Sequence, residues 1–586
     1  MLKLIKKLTK KQILLVIISI AFIACQVGLE LKIPDYMTEI TKYVQTEGSK
    51  MTDILKAGGW MVLCAFGSLM SSVIVGYIAS YIAASFAKNL RKDIFKQVGK
   101  FGMAEIKRFS TSSLITRTTN DVNQVGMLIS MGLQVIIKAP IMATWAITKI
   151  AGKNFKWSLA TSVAIIALLI LIAVLVLVAI PKFKKIQWLT DNLNRITREN
   201  LTGIRVVRAY NAENYQLEKF EQANEELNNT HLFTSKVMAI MNPVMTLIMS
   251  GLSLSIYIIG AYLINEANML DKINIFSDMV VFSSYAMQVV ISFMMLTMIF
   301  ILYPRASVSS KRILEILETT SSIKEGTKEK GKEEGTIEFK NVSFKYPDAE
   351  EYVLENISFK VNKGETIAFI GRTGSGKSTI INLIPRFYDA TDGEVLIDGI
   401  NVKEYKEKNL YDKIGYISQK AVMFKGTIKE NVGLGKKENK KVTEENIKKA
   451  IEISEGKEFI EKLPNTYDFK LAEAGTNVSG GQKQRISIAR AIARNPEFYI
   501  FDDSFSALDY KTDLKLRQNL KKYTKGATIL IVAQRIGTIK DADQIFVIEE
   551  GKIIGNGTHK KLLKTCETYR EIAISQLGKE EIESAQ

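Results

Sequence analysis

Five stretches without a charged residue dominate the first half of this chain: Gln12–Leu29, Ala57–Ala87, Trp157–Ile180, Val237–Asn265 and Met279–Pro304, of 18, 31, 24, 29 and 26 residues. A helix rises about 1.5 Å per residue, so about 20 apolar residues cross a hydrocarbon core, and each run can do so. A sixth candidate, Met127–Thr148, is interrupted by Lys138. Counting it gives an α-helical membrane domain over residues 1–320, with spans at about 12–34, 57–87, 123–148, 157–181, 237–265 and 279–304, and both ends on one side.

Charge sets the orientation. With the N-terminus inside, the inner segments carry 25 Lys+Arg and the outer ones 8. By the positive-inside rule the N-terminus and everything beyond residue 320 are then cytoplasmic, in a multi-pass protein of the cell (plasma) membrane. A net charge of +18 on 586 residues would otherwise suggest nucleic acid. The excess sits in the first 320 residues, however, where 34 Lys+Arg face 20 Asp+Glu between the apolar runs. It reads as a lipid-membrane signal, and no nucleic-acid partner is expected. A cleaved signal peptide is the rival reading of residues 1–29, but Glu30-Leu31-Lys32 is a poor cleavage site. Three cysteines (Cys25, Cys64, Cys566) and two distant histidines (His231, His559) offer neither a disulfide framework nor a His/Cys metal cluster.

The inner loops, 88–126 and 181–236, are long, charged and rich in helix formers, which predicts spans that continue as helices below the membrane. For Lys138 an intramembrane functional role competes with the favoured reading, in which the helix begins near Asp121 and the lysine snorkels at the inner boundary. Methionines crowd the last two spans (Met238, Met241, Met245, Met249; Met279, Met287, Met294, Met295, Met298). They suit either a repacking ligand pocket or ordinary helix packing. Gln26 and Gln288 are the polar span residues placed first for substrate contact.

Residues 321–334, SSIKEGTKEKGKEE, read as a solvated linker. Beyond it, in residues 335–586, the pattern becomes that of an α/β domain. The buried strand TIAFI (366–370) runs straight into Gly371-Arg372-Thr373-Gly374-Ser375-Gly376-Lys377-Ser378-Thr379 and then a helical segment. GxxxxGK[ST] between strand and helix is a phosphate-binding loop. Its backbone N–H groups wrap the β-phosphate, Lys377 bridges β- and γ-phosphate, and Ser378 ligates Mg²⁺. A second apolar strand, EFYIF (497–501), delivers Asp502, placed to hold Mg²⁺ through water, and then Asp503. ATP and Mg²⁺ are therefore the expected cofactors of a P-loop ATPase domain.

Val478-Ser479-Gly480-Gly481-Gln482, followed by KQR and ISIARAIARNP, resembles the signature of ATP-binding cassette (ABC) transporters. Ser506-Ala507-Leu508-Asp509 resembles their D-loop, Gln419 their Q-loop glutamine with a share in Mg²⁺ binding, and Tyr346 the aromatic that stacks on adenine. Six preceding spans with long inner loops resemble the exporter-type membrane domain. FSTSSLITRTTNDV (Phe109–Val122) and GIRVVRAYNAENY (Gly203–Tyr215) resemble the loop segments that touch the ATPase in exporters. The resemblance implies that two cassettes close head-to-tail over two ATP molecules. Each site then takes the P-loop of one chain and Ser479, Gly480, Gly481 and Gln482, with Asp509 nearby, of the other. With one cassette, the chain needs a second half-transporter.

Two positions depart from the family pattern. Where Glu usually orients the attacking water stands Asp503, one methylene shorter, and where the switch histidine usually stands is Gln534, which carries no proton near neutral pH. Together they resemble the degenerate-site subunit of bacterial heterodimeric exporters. That implies export of amphipathic drugs or lipids, with the intact signature donated to the partner's hydrolytic site. A homodimeric slow exporter, an exporter-fold importer of metal chelates and an ATP-gated regulator or channel remain as alternatives.

Overall fold

The computed structural model describes residues 1–46, 48–151, 154–437 and 440–578. Among the described residues, six helical segments are long and apolar enough to cross a membrane. Their carriers are α1 (Lys10–Gln45), α2 (Met51–Val98), α4 (Val122–Ile150), α5 (Phe155–Thr202), the pair α6 (Glu213–Ala239) and α7 (Met241–Glu266), and α8 (Met269–Glu318). Between α2 and α4 lies the short α3 (Met103–Phe109), then a turn of helix at Thr111–Thr116 and a π-helical turn at Arg117–Asp121. Prolines stand inside four of these helices, Pro34, Pro140, Pro181 and Pro304, a position that membrane helices tolerate. The extension of α2 and α5 to 48 residues each agrees with spans that run on past the hydrocarbon core.

The chain forms two compact units, Met1–Gly99 with Ser112–Thr319 and Lys100–Thr111 with Thr320–Gln586. The core of the first gathers Ile23, Val27, Met142, Leu252 and Phe282 around Trp157, whose indole N–H donates to the Ile256 carbonyl at 3.1 Å. Met245 and Met279 are packed in this core, as ordinary helix packing requires, while Met238 and Met241 line a cavity described below. The side chain of Met298 lies outside the described ones.

The structure corrects the snorkelling reading of Lys138. That residue lies 16 positions into α4, about 24 Å along its axis. Its ammonium sits 3.0 Å from Glu30 Oε1, which also accepts from Gln26 Nε2 (2.9 Å) and Ser68 Oγ (3.0 Å). A carboxylate between apolar helices draws every donor in reach, because bare charge in a low-dielectric interior is costly. Gln26 is thereby committed to Glu30, and Gln288 Oε1 is a buried oxygen with no hydrogen-bond partner. Farther along the same helices Asp35 takes Lys149 at 2.7 Å and the buried hydroxyl of Tyr285.

Among the described residues, the second unit holds two large sheets and two short two-stranded ones. β1 (Ile337–Phe344), β2 (Leu354–Val361), β4 (Asp392–Ile397) and β5 (Ile400–Asn401) form an antiparallel sheet in the order β2-β1-β4-β5. β3 (Thr366–Ile370), β6 (Ile414–Ile417), β7 (Phe498–Asp502), β8 (Thr528–Val532), β9 (Gln544–Glu549) and β10 (Lys552–Gly557) form the order β10-β9-β3-β8-β7-β6. That sheet is parallel except for β9–β10. Its strands read as continuous apolar runs because both faces are covered by separate cores, one around Phe501, Ile531 and Val547, the other around Phe369, Ile500 and Phe546.

Two segments differ from their sequence reading. Residues 321–334 do not hang free: the N–H groups of Gly326, Thr327 and Glu333 donate to the carbonyls of Tyr405, Glu404 and Asp398. Of the first inner-loop stretch read as touching the ATPase, only Phe109–Thr111 fall in the second unit; Ser112–Val122 belong to the first. The segment that joins the ATPase unit starts earlier, at Lys100, because Glu105 reaches the N–H of Ser322 at 3.1 Å and Gly102 packs against Ile323. Gly203–Tyr215 belong to the first unit.

Candidate functional site

The carboxyl ends of β3 and β7 build the site, with β8 between them. After β3 the chain turns through Gly374 and Gly376, at φ of 86° and 98°, into α9 (Lys377–Leu383). Side chains at these two positions would be strained, so glycine is what lets the loop close. It closes on Lys377, whose ammonium donates to the carbonyls of Gly371 (2.9 Å) and Arg372 (2.7 Å) and to Ser375 Oγ (3.3 Å). Burial pulls the Lys377 ammonium below the ordinary lysine range, against the opposing pull of Asp503 and Asp502.

Next to it, Ser378 Oγ donates to Asp502 Oδ1 at 2.8 Å, and the Tyr416 hydroxyl donates to Asp502 Oδ2 at 3.4 Å. Burial pushes the Asp502 carboxyl up, while the two hydroxyls and Lys377 hold it down. The hydroxyl–carboxylate pair is an all-oxygen donor set, the kind that a hard dication takes.

Asp503 leaves β7 in the left-handed region, φ 46°. Its Oδ2 accepts from Gln419 Nε2 at 3.2 Å and from Gln534 Nε2 at 3.1 Å. Burial pushes the Asp503 carboxyl up, and the Asp502 charge adds to that. Lys377, Ser378, Asp502, Asp503, Gln419 and Gln534 thus form one cluster. Tyr346 stands near it, its hydroxyl 3.1 Å from Thr379 Oγ1 and its ring edge-on to Tyr388 at 5.3 Å.

The signature residues make a second cluster. Ser479 caps α10 (Gly480–Ala493): its hydroxyl accepts from Gln482 N at 3.3 Å, and Gln482 Oε1 accepts from Ser479 N at 2.9 Å. Gly481 packs beside the D-loop, where an added Cβ would lie 3.3 Å from the Ala507 carbonyl. Asp509 caps α11 (Tyr510–Tyr523) through Thr512 N at 2.9 Å. Ser479 and Gly480 are exposed, and among the described residues no hydrogen bond joins Ser479–Gln482 to the P-loop.

Three contacts had no sequence signal. Gln576, on α12 (Glu567–Leu577), clasps the backbone on both sides of Arg535, donating to the Gln534 carbonyl at 2.7 Å and accepting from Ile536 N at 2.8 Å. Tyr416 reaches Asp502 from the neighbouring strand β6. The Lys107 ammonium lies 5.4 Å from the centre of the Tyr346 ring.

A P-loop ATPase domain on a membrane domain of six spans is the class that this architecture defines. The profile of the ABC transporter family matches residues 354–506, and that of the ABC transporter transmembrane region matches residues 16–303. An uncharacterised ABC transporter ATP-binding protein of Mycobacterium tuberculosis is 37% identical over 530 residues, 89% of this chain and 88% of that protein. The ATP-dependent lipid A-core flippase of Pseudomonas aeruginosa is 31% identical over 78% of this chain and 74% of its own. A bacterial Atm1-family ABC exporter solved with ATP bound shares the fold at a TM-score of 0.79 and 22% identity, with 97% of both chains covered. The chain belongs to the ABC transporter family, as a half-transporter with one membrane domain and one ATPase domain, and such ATPases work with ATP and Mg²⁺.

Proposed function

We propose that this chain is the degenerate-site half of a heterodimeric ABC exporter that moves amphipathic molecules, lipids among them, out of the cytoplasm. The observation that carries the reading is the Asp503 carboxylate held on one oxygen by Gln419 and Gln534 together. A group that orients and polarises water needs reach and a free acceptor lone pair. Asp503 has the shorter side chain, its Oδ2 is engaged by two amides, and Gln534 supplies no titratable proton.

Lys377 would hold the β- and γ-phosphates, Ser378 and Asp502 the Mg²⁺, and Tyr346 the adenine. Mg²⁺ there supplies charge neutralisation on the phosphates. Ser479–Gln482, intact except that Val478 replaces the usual Leu, would complete the partner's competent site. The lipid A-core flippase among the relatives supports a lipid-like cargo.

The test uses the assembled transporter purified from membranes through a tag on this chain, with hydrolysis at the partner's site blocked. Asp503→Glu with Gln534→His is expected to raise the remaining turnover by about tenfold or more, the scale of a well-placed general base. Unchanged turnover would overturn the degenerate-site reading.

A further inference from the structure

Within the membrane unit, the π-helical turn Arg117–Asp121, α4, α5, the α6–α7 junction and α8 line a cavity of about 850 Å³. It lies where the uncharged runs end and charge begins, at Lys182 on α5 and Arg305 on α8. Its volume is that of a small-molecule site. Leu175 and Met241 are among its apolar lining, and Asp121, Asp191, Arg305 and Arg312 also line it.

The four charges are not equally matched. Asp121, only 5% exposed, accepts from Ser309 Oγ at 2.8 Å through Oδ1, while its Oδ2 accepts no hydrogen bond and lies 3.5 Å from Arg312 Nε. Asp121 ends the π-helical turn of Arg117–Asp121, an irregularity frequent at functional sites. Asp191 takes one hydrogen bond, from Gln187 at 3.3 Å, and, among the described residues, no cation. Arg305 is exposed and, among the described residues, forms no hydrogen bond or ion pair. Among the described residues, one acid and one base therefore lack an opposite charge in the same apolar-walled space. A ligand that answers both carries an anionic and a cationic centre on one head and a hydrocarbon tail.

Resting on the exporter reading, we infer that this cavity binds the head of a zwitterionic amphiphile, its phosphate-type anion on Arg305 and its ammonium on Asp191, while Asp121 stays paired with Arg312. A planar guanidinium grips a phosphate in bidentate fashion. The tail lies against Leu175 and Met241. The site is built within one chain, so binding requires neither a second half-transporter nor ATP.

The full chain is reconstituted in phosphatidylglycerol nanodiscs without nucleotide, and a dansylated lysophosphatidylcholine is displaced by three competitors. These are dodecylphosphocholine, dodecyl maltoside with the same tail, and two-chain dioleoylphosphatidylcholine. Dodecylphosphocholine is expected to displace the probe at a concentration at least about tenfold below the maltoside. Arg305→Gln and Asp191→Asn should each erase that preference, and Leu175→Trp, which fills the tail space, should weaken both detergents alike. Displacement by dioleoylphosphatidylcholine as well makes the bilayer the source of the occupant; displacement by the single-chain compound alone makes it a free amphiphile. Equal potency of phosphocholine and maltoside, or a preference that survives both charge-removing substitutions, overturns the proposal. Retained binding of a fluorescent ATP analogue certifies that the variants are folded. Because the measurement needs neither turnover nor a partner, it can fail while the exporter reading stands, and the turnover test can fail while this one succeeds.

Discussion

Gly481→Asp is expected to lower the ATPase of the assembled transporter by about 100-fold or more, whereas Asp503→Asn lowers it by less than about twofold. Gly481 opens α10 beside the D-loop, with the Ala507 carbonyl already 3.3 Å from where a Cβ would sit. In the proposed head-to-tail pair a carboxylate there would face the triphosphate bound by the opposite chain. Two like charges about 4 Å apart repel by about 4 kcal/mol at an effective dielectric of 20, enough for a loss near a thousandfold. Asp503, in contrast, lies on this chain's own P-loop side with its Oδ2 engaged by Gln419 and Gln534. Making it asparagine removes a carboxylate that the proposed mechanism does not use for hydrolysis. Phosphate release at saturating ATP decides the matter. In a homodimer both substitutions would strike both sites, and comparable losses from the two would sink the heterodimeric reading.

Most of the cluster around Lys377 was legible in the sequence because its chemistry is local. A strand, a glycine loop and a lysine within a dozen residues admit few folds, and an apolar strand ending in Asp502 fixes the other side. Signature and D-loop were named from the resemblance of two contiguous motifs to those of the ABC family. What stayed hidden depends on contacts far apart in sequence. Glu30 and Lys138 are 108 residues apart, and Glu30 reads only as the charge that ends the uncharged run Gln12–Leu29 until α1 is seen to run unbroken to Gln45. Gln576 carries no motif, since a lone glutamine on an amphipathic helix becomes informative only once its amide is seen to grip the switch segment. The attachment of Lys100–Thr111 to the ATPase unit rests on the Gly102–Ile323 packing, on Lys107 beside the Tyr346 ring, and on Glu105, which caps its own helix through Gly102 N and also reaches Ser322. Helical periodicity gives the first of these bonds and is silent on the second.

The largest expected change in stability comes from the intramembrane pair. Lys138→Met keeps length and apolar contact but leaves Glu30 with only Gln26 and Ser68 as donors. Breaking a buried pair from one side costs about 3–5 kcal/mol, and this partly buried one, its side chains 17% and 21% exposed, falls at or below the lower end, since the remaining charge keeps part of its desolvation penalty and loses its partner. At membrane depth a single uncompensated acid carries about 2.5–3.5 kcal/mol on insertion scales, in the same range. Glu30→Gln combined with Lys138→Met removes both charges and leaves an amide that can still bond Gln26 and Ser68. The double variant is therefore expected to recover most of the loss, to within about 1.5 kcal/mol of the parent, as buried pairs replaced by neutral groups of like volume often do. Equilibrium unfolding of the reconstituted chain, read for parent, both single variants and the double, gives the coupling energy directly. If the double variant is as unstable as Lys138→Met alone, the lysine contributes through packing and the pair is not what joins α1 to α4. If the double variant regains stability but the assembled transporter loses transport, the pair serves the moving parts of the cycle, because a charge contact between two helices can be exchanged for water when they part, whereas a tight apolar contact has no such substitute.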